Sequence, residues 1–218
     1  MGSYYTVVQG DHLSKIAKEN GFPDYHIIWD HPNNAELKQK RQNPNVLYPG
    51  DQVFVPDMEE KEESGSTERR HVFEVKKEAL RLRLVLEDMY EKPIANAPCA
   101  LLVEGVIVGE PTKTSPIGQI ESDIPQDAHE GGLVLRGDET PFRDVLIPVK
   151  IGDLDPEDKL SGQVARLNNL GYLPGDGTDP DAFKSAVEEF QCDHHPPLKI
   201  DGICGDKTQK ELKKVHGC

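Results

Sequence analysis

The N-terminal quarter of the chain carries two strand patterns that flank two helical patterns. A β-prone run at Tyr5–Val8 comes first, and Asp11 is placed to cap the helix that follows. The apolar positions of the two helices and of the returning strand are, in order, Leu13, Ile16 and Ala17; Ile27, Ile28 and Trp29; and Val53–Val55. This order predicts a βααβ unit, in which a core position for Trp29 is favoured over a sugar platform.

The middle of the chain has the two-residue period of half-buried strands. Leu80, Leu82, Leu84 and Leu86 alternate with Arg81, Arg83, Val85 and Glu87. Short apolar runs follow at Ala100–Val103, Val106–Val108, Leu133–Leu135 and Val145–Ile151, separated by Gly, Pro and Asp. Several such runs at close spacing predict a small β-sandwich.

The C-terminal part returns to helical spacing. Its apolar positions form three sets: Leu160, Val164, Leu167 and Leu170; Phe183, Ala186, Val187 and Phe190; and Leu212 and Val215. Gly171 is placed to end the first helix, whereas Asp206 and Gln209 have the spacing of a capping box for the third. The pattern predicts a three-helix unit.

These patterns divide the chain into four segments of a multidomain α+β protein. Residues 1–56 form the first domain and residues 57–70 an acidic, flexible linker. A β-sandwich spacer over 71–152 and a helical domain over 153–218 complete the division, with the second junction near Gly152–Pro156.

Composition narrows the possible partners. A formal charge of -14 argues against nucleic acid and against an anionic membrane surface, which both attract basic proteins. No apolar run has the length of a membrane span, and Met1–Thr6 contains no signal peptide pattern. Either a signal has been trimmed from this chain or the protein lacks a conventional export signal. In the second case we expect cytoplasmic synthesis, with delivery to the periplasm or cell wall by a secretion apparatus.

Candidate chemistry along the chain does not point to an enzyme. The linker carboxylates Glu59, Glu60, Glu62 and Glu63 lie in a flexible run, which cannot hold the fixed pair that glycosidases need. Cys99 has only distant histidines as partners, so it is too generic to be a nucleophile. We expect no catalytic residue and no cofactor.

A cysteine and histidine cluster near the C-terminus is the best metal candidate. Its members are Cys192, His194, His195, Cys204, His216 and Cys218. The spacing is not that of a zinc site, so ordinary turn and surface roles, or a disulfide, weigh more than metal. The last three cysteines, Cys192, Cys204 and Cys218, allow three pairings with one thiol left over.

Two segments of the first domain resemble a LysM module. Tyr5–Ala17 is similar to the opening of that family, with His12 where Thr is usual, and Asn45–Pro56 is similar to its close. The resemblance implies a shallow groove that binds glycans containing N-acetylglucosamine, such as peptidoglycan or chitin-like polymers. The residues that would line it are Gly10, Asp11, His12, Leu13, Asn45, Val46, Leu47 and Tyr48.

The middle of this first domain is longer than in a compact LysM. The extra residues, Trp29–Arg41, resemble the extended LysM domains encoded beside type VI secretion and related contractile injection systems. In that setting the module holds a protein, and the insertion is placed to cover the groove.

The C-terminal segment resembles the three-helix peptidoglycan-binding domain of cell-wall hydrolases. Val164–Leu173, Glu189–Gln191 and Ile200–Thr208 are similar to its opening helix, its middle and its closing turn. The resemblance implies wall contact through Tyr172, Asp201, Gly202 and Gly205. The alternative for the glycines is turn chemistry alone. In the spacer, Pro93–Pro98 and Gly118–Ile120 resemble immunoglobulin-like or prealbumin-like domains.

The sequence thus predicts a non-catalytic adaptor that binds the bacterial cell wall. The main alternative is a structural or effector-loading component of a type VI secretion or related contractile injection apparatus, which binds a spike or effector protein. A third is the wall-binding part of a hydrolase whose catalytic domain is a separate chain.

Overall fold

A computed structural model describes residues 2–58, 67–70, 72, 79–136 and 144–218, apart from the side chain of Pro111. The protein is a mixed α+β chain, as the sequence predicts. Its contacts divide it into two units, one of Met1–Asn45 with Pro49–Gly152 and the other of Val46–Tyr48 with Asp153–Cys218. The acidic run Glu59–Glu63 lies outside the described residues.

The first unit begins with a two-stranded antiparallel sheet around a helical segment. Strand β1 (Ser3–Thr6) pairs with β2 (Gln52–Val55), so that Ser3 lies opposite Val55. Between them run α1 (Leu13–Glu19), α2 (His26–Trp29), a 3-10 turn (Pro32–Asn34) and α3 (Ala35–Arg41). The unit thus has one α-helix more than the predicted βααβ order, because α3 forms in the insertion, and Trp29 is buried.

Buried polar side chains fix the insertion to the sheet. The amide of Asn34 donates to the carbonyls of Ile28 and Phe54 at 2.8 Å, and its oxygen accepts the N–H of Phe54 at 2.7 Å. Arg41 at the end of α3 binds both carboxylate oxygens of Asp51, at 2.6 and 2.8 Å. Because their partners are complete, these buried polar groups stabilise the insertion.

The prediction that Asp11 caps the first helix is wrong. Helix α1 begins at Leu13, and the capping group is the imidazole of His12, which accepts the N–H of Lys15 at 3.4 Å. The Asp11 carboxylate instead accepts hydrogen bonds from the N–H of Val8 and the hydroxyl of Tyr5. It therefore closes the turn before the helix.

The second part of this unit consists of two antiparallel sheets. Strand β3 (Leu80–Val85) pairs with β6 (Gln119–Ile124). The other sheet has the order β5 (Val106–Lys113), β4 (Pro98–Val103), β7 (Glu130–Leu135) and β8 (Val145–Lys150). The apolar runs predict all of these strands except β6, where only Ile120 and Ile124 are apolar and buried.

Two buried clusters lie between the two sheets. Leu133 and Leu135 of β7 pack in a buried cluster with Ile120 of β6, and Leu84 of β3 packs against it. A second cluster joins Leu101, Val103 and Ile151 to Ile124 and Ala128. Strands from both sheets contribute to each cluster, so the hydrophobic core lies between the sheets.

Three helices make up most of the second unit: α4 (Leu160–Asn169), α5 (Pro180–Asp193) and α6 (Asp206–His216). Leu167, Val187, Phe190 and Leu212 form their core. The fully buried guanidinium of Arg166 donates to the carbonyls of Asp155, Gly162 and Cys218 at 2.7–2.8 Å. This side chain joins three separate segments of the unit.

Two details of the third helix differ from prediction. The N-cap of α6 is Gly205, and Gln209 donates to the carbonyl of Cys204 at 2.8 Å, so the predicted capping box is absent. Asp206 is instead the first helical residue, where its charge favours the helix dipole. Val215 is 40% exposed and does not face the core as predicted.

Candidate binding sites

The loop Gly10–Leu13 is the first half of the predicted glycan groove. All four residues are buried, and Leu13 donates its N–H to the carbonyl of Pro44 at 3.1 Å. Burial by itself raises the pKa of Asp11, but hydrogen bonds from Lys15, Val8 and Tyr5 outweigh burial and lower that pKa. The loop is therefore a closed polar network.

His12 is the unusual member of this loop. Its side chain is almost completely buried, and its Nδ1 accepts a hydrogen bond from the backbone of Lys15. Nε2 must therefore carry the proton of the neutral ring, yet it has no hydrogen-bond partner within the described part of the chain. Burial first, and then the charges of Lys15 and His129, lower the pKa of His12 to about 4.

The end of the two-sheet region lies against this loop. A methyl group added at Gly152 would be 2.8 Å from the carbonyl oxygen of Gly10 and 3.0 Å from Cδ2 of His12. The ammonium of Lys18 on α1 lies 2.6 Å from the carboxylate of Asp127, in the loop between β6 and β7. The first half of the predicted groove is thus covered at Gly10 and His12 by the turn at Gly152.

The second half of the predicted groove is only partly accessible. Val46 and Leu47 are buried, Tyr48 is half-buried and Asn45 is exposed. Residues Val46–Tyr48 belong to the second unit, where the ammonium of Lys159 lies 5.1 Å from the centre of the Tyr48 ring. Since six of the eight predicted groove residues are buried, little of this surface is free in the structure.

The turn Lys199–Gly205 is built differently, around the buried side chain of Gln191. Its Oε1 accepts the N–H groups of Asp201 and Gly202, each at 2.9 Å. Its Nε2 donates to Asp201, Ile203 and Thr208 at 3.0–3.2 Å. One amide on α5 therefore holds the backbone of this turn in a fixed conformation, while the turn itself lies at the surface.

The accessible chemistry of this turn is an acidic group between two apolar side chains. Ile200 and Ile203 are 49% and 66% exposed. The N–H of Ile203, which Asp201 accepts at 3.0 Å, is the largest cause of the lowered pKa of Asp201. Lys199 pairs with the other oxygen of this carboxylate at 3.2 Å.

The glycines of the turn have conformational roles. Gly202 has a φ of +69° and lies so close to Lys184 on α5 that an added methyl group would be 2.5 Å from its Cγ. Gly205 is the helix cap and has open space where a side chain would be. Gly202 therefore serves the turn geometry, whereas Gly205 leaves a free surface beside it.

Tyr172 is also placed by the core of the second unit. Its ring meets Phe190 edge-on at 5.4 Å, and its hydroxyl donates to Asp193 at 3.1 Å. It is half-buried, so only part of the ring is available to a ligand.

Of the cysteine and histidine cluster, His216 and Cys218 lie together, with Nδ1 of His216 3.3 Å from Sγ of Cys218. All four cysteines lie in the described ranges and are unpaired thiols. Burial raises the pKa of Cys204 to about 11, which suppresses its reactivity. The described residues hold no group of three or more His, Cys, Asp or Glu placed to bind a metal ion.

Sequence reasoning named Gln191 only as part of the string Glu189–Gln191 and gave it no role, and it did not single out the unpartnered nitrogen of His12. Gln191 follows the apolar Phe190 on α5, and a Gln beside a core position is the available signal for a buried amide. The His12 nitrogen depends on tertiary burial and has no sequence signal.

Comparisons with known proteins leave these sites to be judged from their chemistry. No family model matches the chain, and neither the curated proteins nor the solved structures contain a match. Among the described residues, no helix is both long enough and apolar enough to span a bilayer.

Proposed function

We propose that this protein is a non-catalytic adaptor that binds the bacterial cell wall through the turn Lys199–Gly205. In this interpretation the segments are an extended LysM module, an immunoglobulin-like or prealbumin-like β-sandwich and a three-helix peptidoglycan-binding domain. The observation that carries the proposal is the turn held by Gln191, because its backbone is fixed while the side chains of Ile200 and Ile203 stay exposed.

The chemistry of the turn suits a glycan. Ile200 and Ile203 offer apolar surface for the face of a sugar ring. Asp201 lies between them in sequence, and its Oδ2, paired with the exposed Lys199, is the oxygen that a sugar hydroxyl can share. A fixed turn loses little conformational entropy on binding, which favours affinity at a small site. The burial of Gly10–Leu13 makes this the more accessible of the two predicted contacts.

A pull-down of the purified chain on insoluble peptidoglycan tests the proposal. We expect saturable binding that falls in Ile203→Ser and in Asp201→Ala. Asp176→Ala is the matched control, because Asp176 accepts the N–H of Thr178 at 2.9 Å in a similar exposed turn. Equal binding by all variants, or no binding by the folded wild type, would reject the proposal.

A second function is favoured by the buried loop Gly10–Leu13. A LysM-like module whose groove is closed suits a structural part that binds protein, here a spike or effector of a contractile injection apparatus. Titration with a purified spike protein tests this alternative. Binding to the spike that survives Ile203→Ser, with no retention on peptidoglycan, would replace the first proposal by the second.

A further inference from the structure

The end of the two-sheet region closes the loop Gly10–Leu13, and we propose that it acts as a lid on a second glycan site. The lid consists of Asp127–His129 and the turn at Gly152. The N-terminal module takes an N-acetylglucosamine oligomer only when this lid is displaced. The inference rests on the proposed function, since it assigns a glycan to the LysM-like module, but it concerns a different surface.

The first support is the close approach at Gly152. Its φ is +83°, and the space where a side chain would project is filled by the Gly10 carbonyl and the His12 ring. A left-handed glycine lets the backbone reach this distance, which any other residue would prevent. The residue type at 152 therefore allows the lid to close.

The second support is that the lid is one connected piece with its own tie to α1. Ile151 donates its N–H to the carbonyl of His129 at 2.8 Å, which holds the loop before β7 beside the end of β8. The ion pair between Lys18 and Asp127 then joins this piece to the helix that follows the groove. Both groups are about half exposed, so the tie is weak and reversible.

The third support is the unsatisfied donor of His12. A buried N–H without an acceptor is costly, and native structures seldom retain one. The proton on Nε2 has no acceptor in the described part of the chain while Gly152 lies against the ring. With the lid displaced, the carbonyl oxygen of an acetamido group supplies that acceptor, which links opening to the ligand.

The experiment measures binding of the N-acetylglucosamine hexamer to the full chain by calorimetry. Gly152→Ala forces the lid away from Gly10, and the matched control is Gly105→Ala, where φ is +76° and an added methyl group meets nothing within 4 Å. A second opening variant, Asp127→Lys, repels Lys18 without changing the backbone. Hydrogen exchange at the amides of Gly10–Leu13 reports opening independently of sugar.

We expect both opening variants to exchange faster at Gly10–Leu13. Gly152→Ala should bind the hexamer at least about tenfold more tightly than wild type, Asp127→Lys about threefold more tightly because the ion pair that it breaks is exposed, and Gly105→Ala should be unchanged. Adding Asp201→Ala should leave this gain intact, which separates the lid from the proposed wall contact. Equal affinity of wild type and both opening variants, or faster exchange without any gain in binding, would overturn the inference.

Discussion

The loop Gly10–Leu13 and the turn Lys199–Gly205 are both short polar turns next to a helix, yet the structure treats them in opposite ways. In the first, the loop is buried, and the Asp11 carboxylate accepts hydrogen bonds from Tyr5, Val8 and Lys15 of the same module. In the second, a buried Gln191 on another element satisfies the backbone, which leaves Ile200 and Ile203 exposed, while the half-buried Asp201 also accepts bonds within its own turn.

The two turns differ in the position of the side chain that holds their backbone: Asp11 belongs to its own loop, whereas Gln191 lies on a separate helix. A loop that is held by its own side chains cannot offer them to a ligand, whereas a turn held from beneath keeps its outer face free. His12 is only partly engaged in this way. One of its ring nitrogens caps α1, whereas the other has no hydrogen-bond partner among the described residues. The following predictions test the contrast, from the largest expected effect to the smallest.

Replacing the group beneath the C-terminal turn should have the largest effect. Gln191→Leu removes five hydrogen bonds at a buried position and leaves the N–H groups of Asp201 and Gly202 without acceptors. We expect the free energy of unfolding of the second unit to fall by about 4 kcal/mol. Urea unfolding, with hydrogen exchange at Asp201 and Gly202, measures the change.

The control for that substitution is Gln209→Leu, which removes a single bond to the carbonyl of Cys204. A loss of about 1 kcal/mol is expected there. If the two variants lost the same stability, the view of Gln191 as the organiser of the turn would be wrong.

Acid should weaken the N-terminal loop through His12. Its pKa is about 4 when folded and near 6.5 when unfolded, so the unfolded state binds more protons between these values. Stability is therefore complete above pH 6.5 and decreases as the pH falls to 4, by about 3 kcal/mol in total. Exchange of the buried amide of Ile16 against pH measures this loss.

His12→Gln is the companion variant, since it keeps a side chain that can cap the helix but does not titrate. Its stability in the first unit should vary less between pH 6.5 and 4. A pH dependence identical to that of wild type would show that His12 is not the group responsible.

The stability of the insertion should depend on the hydrogen bonds of Asn34. Asn34→Ala removes three hydrogen bonds that tie α2 and β2 together at a buried position. We expect a loss of about 2 kcal/mol in the free energy of unfolding of the first unit. Asn33→Ala, at the exposed neighbouring position, should change thermal stability little, and equal losses in the two variants would contradict the assignment.

The smallest effect is expected for the ion pair between Lys18 and Asp127. A double-mutant cycle with alanine at both positions should give a coupling energy of about 0.5 kcal/mol, reduced at high salt, because both groups are about half exposed. A coupling of zero at low salt would mean that this pair does not hold the lid.

Much of the secondary structure could be predicted because it follows from local pattern. The alternation of Leu80, Leu82 and Leu84 gives β3, and the helical spacing of Leu167 and Leu170 gives α4, since both periods are properties of the backbone. Strand β6 was not predicted, because it has few apolar positions. Its hydrogen bonds with β3 fix it in the sheet.

The candidate sites could be predicted only as sets of residues. The sequence by itself determined the α+β class, the order of most elements and the acidic charge, because period, turn residues and composition are local quantities. Only the tertiary structure decided that Gly152 lies against Gly10, that His12 has an unmatched nitrogen and that Gln191 supports the turn at Asp201. Access and satisfaction of polar groups depend on contacts between residues far apart in the chain, which no local pattern specifies.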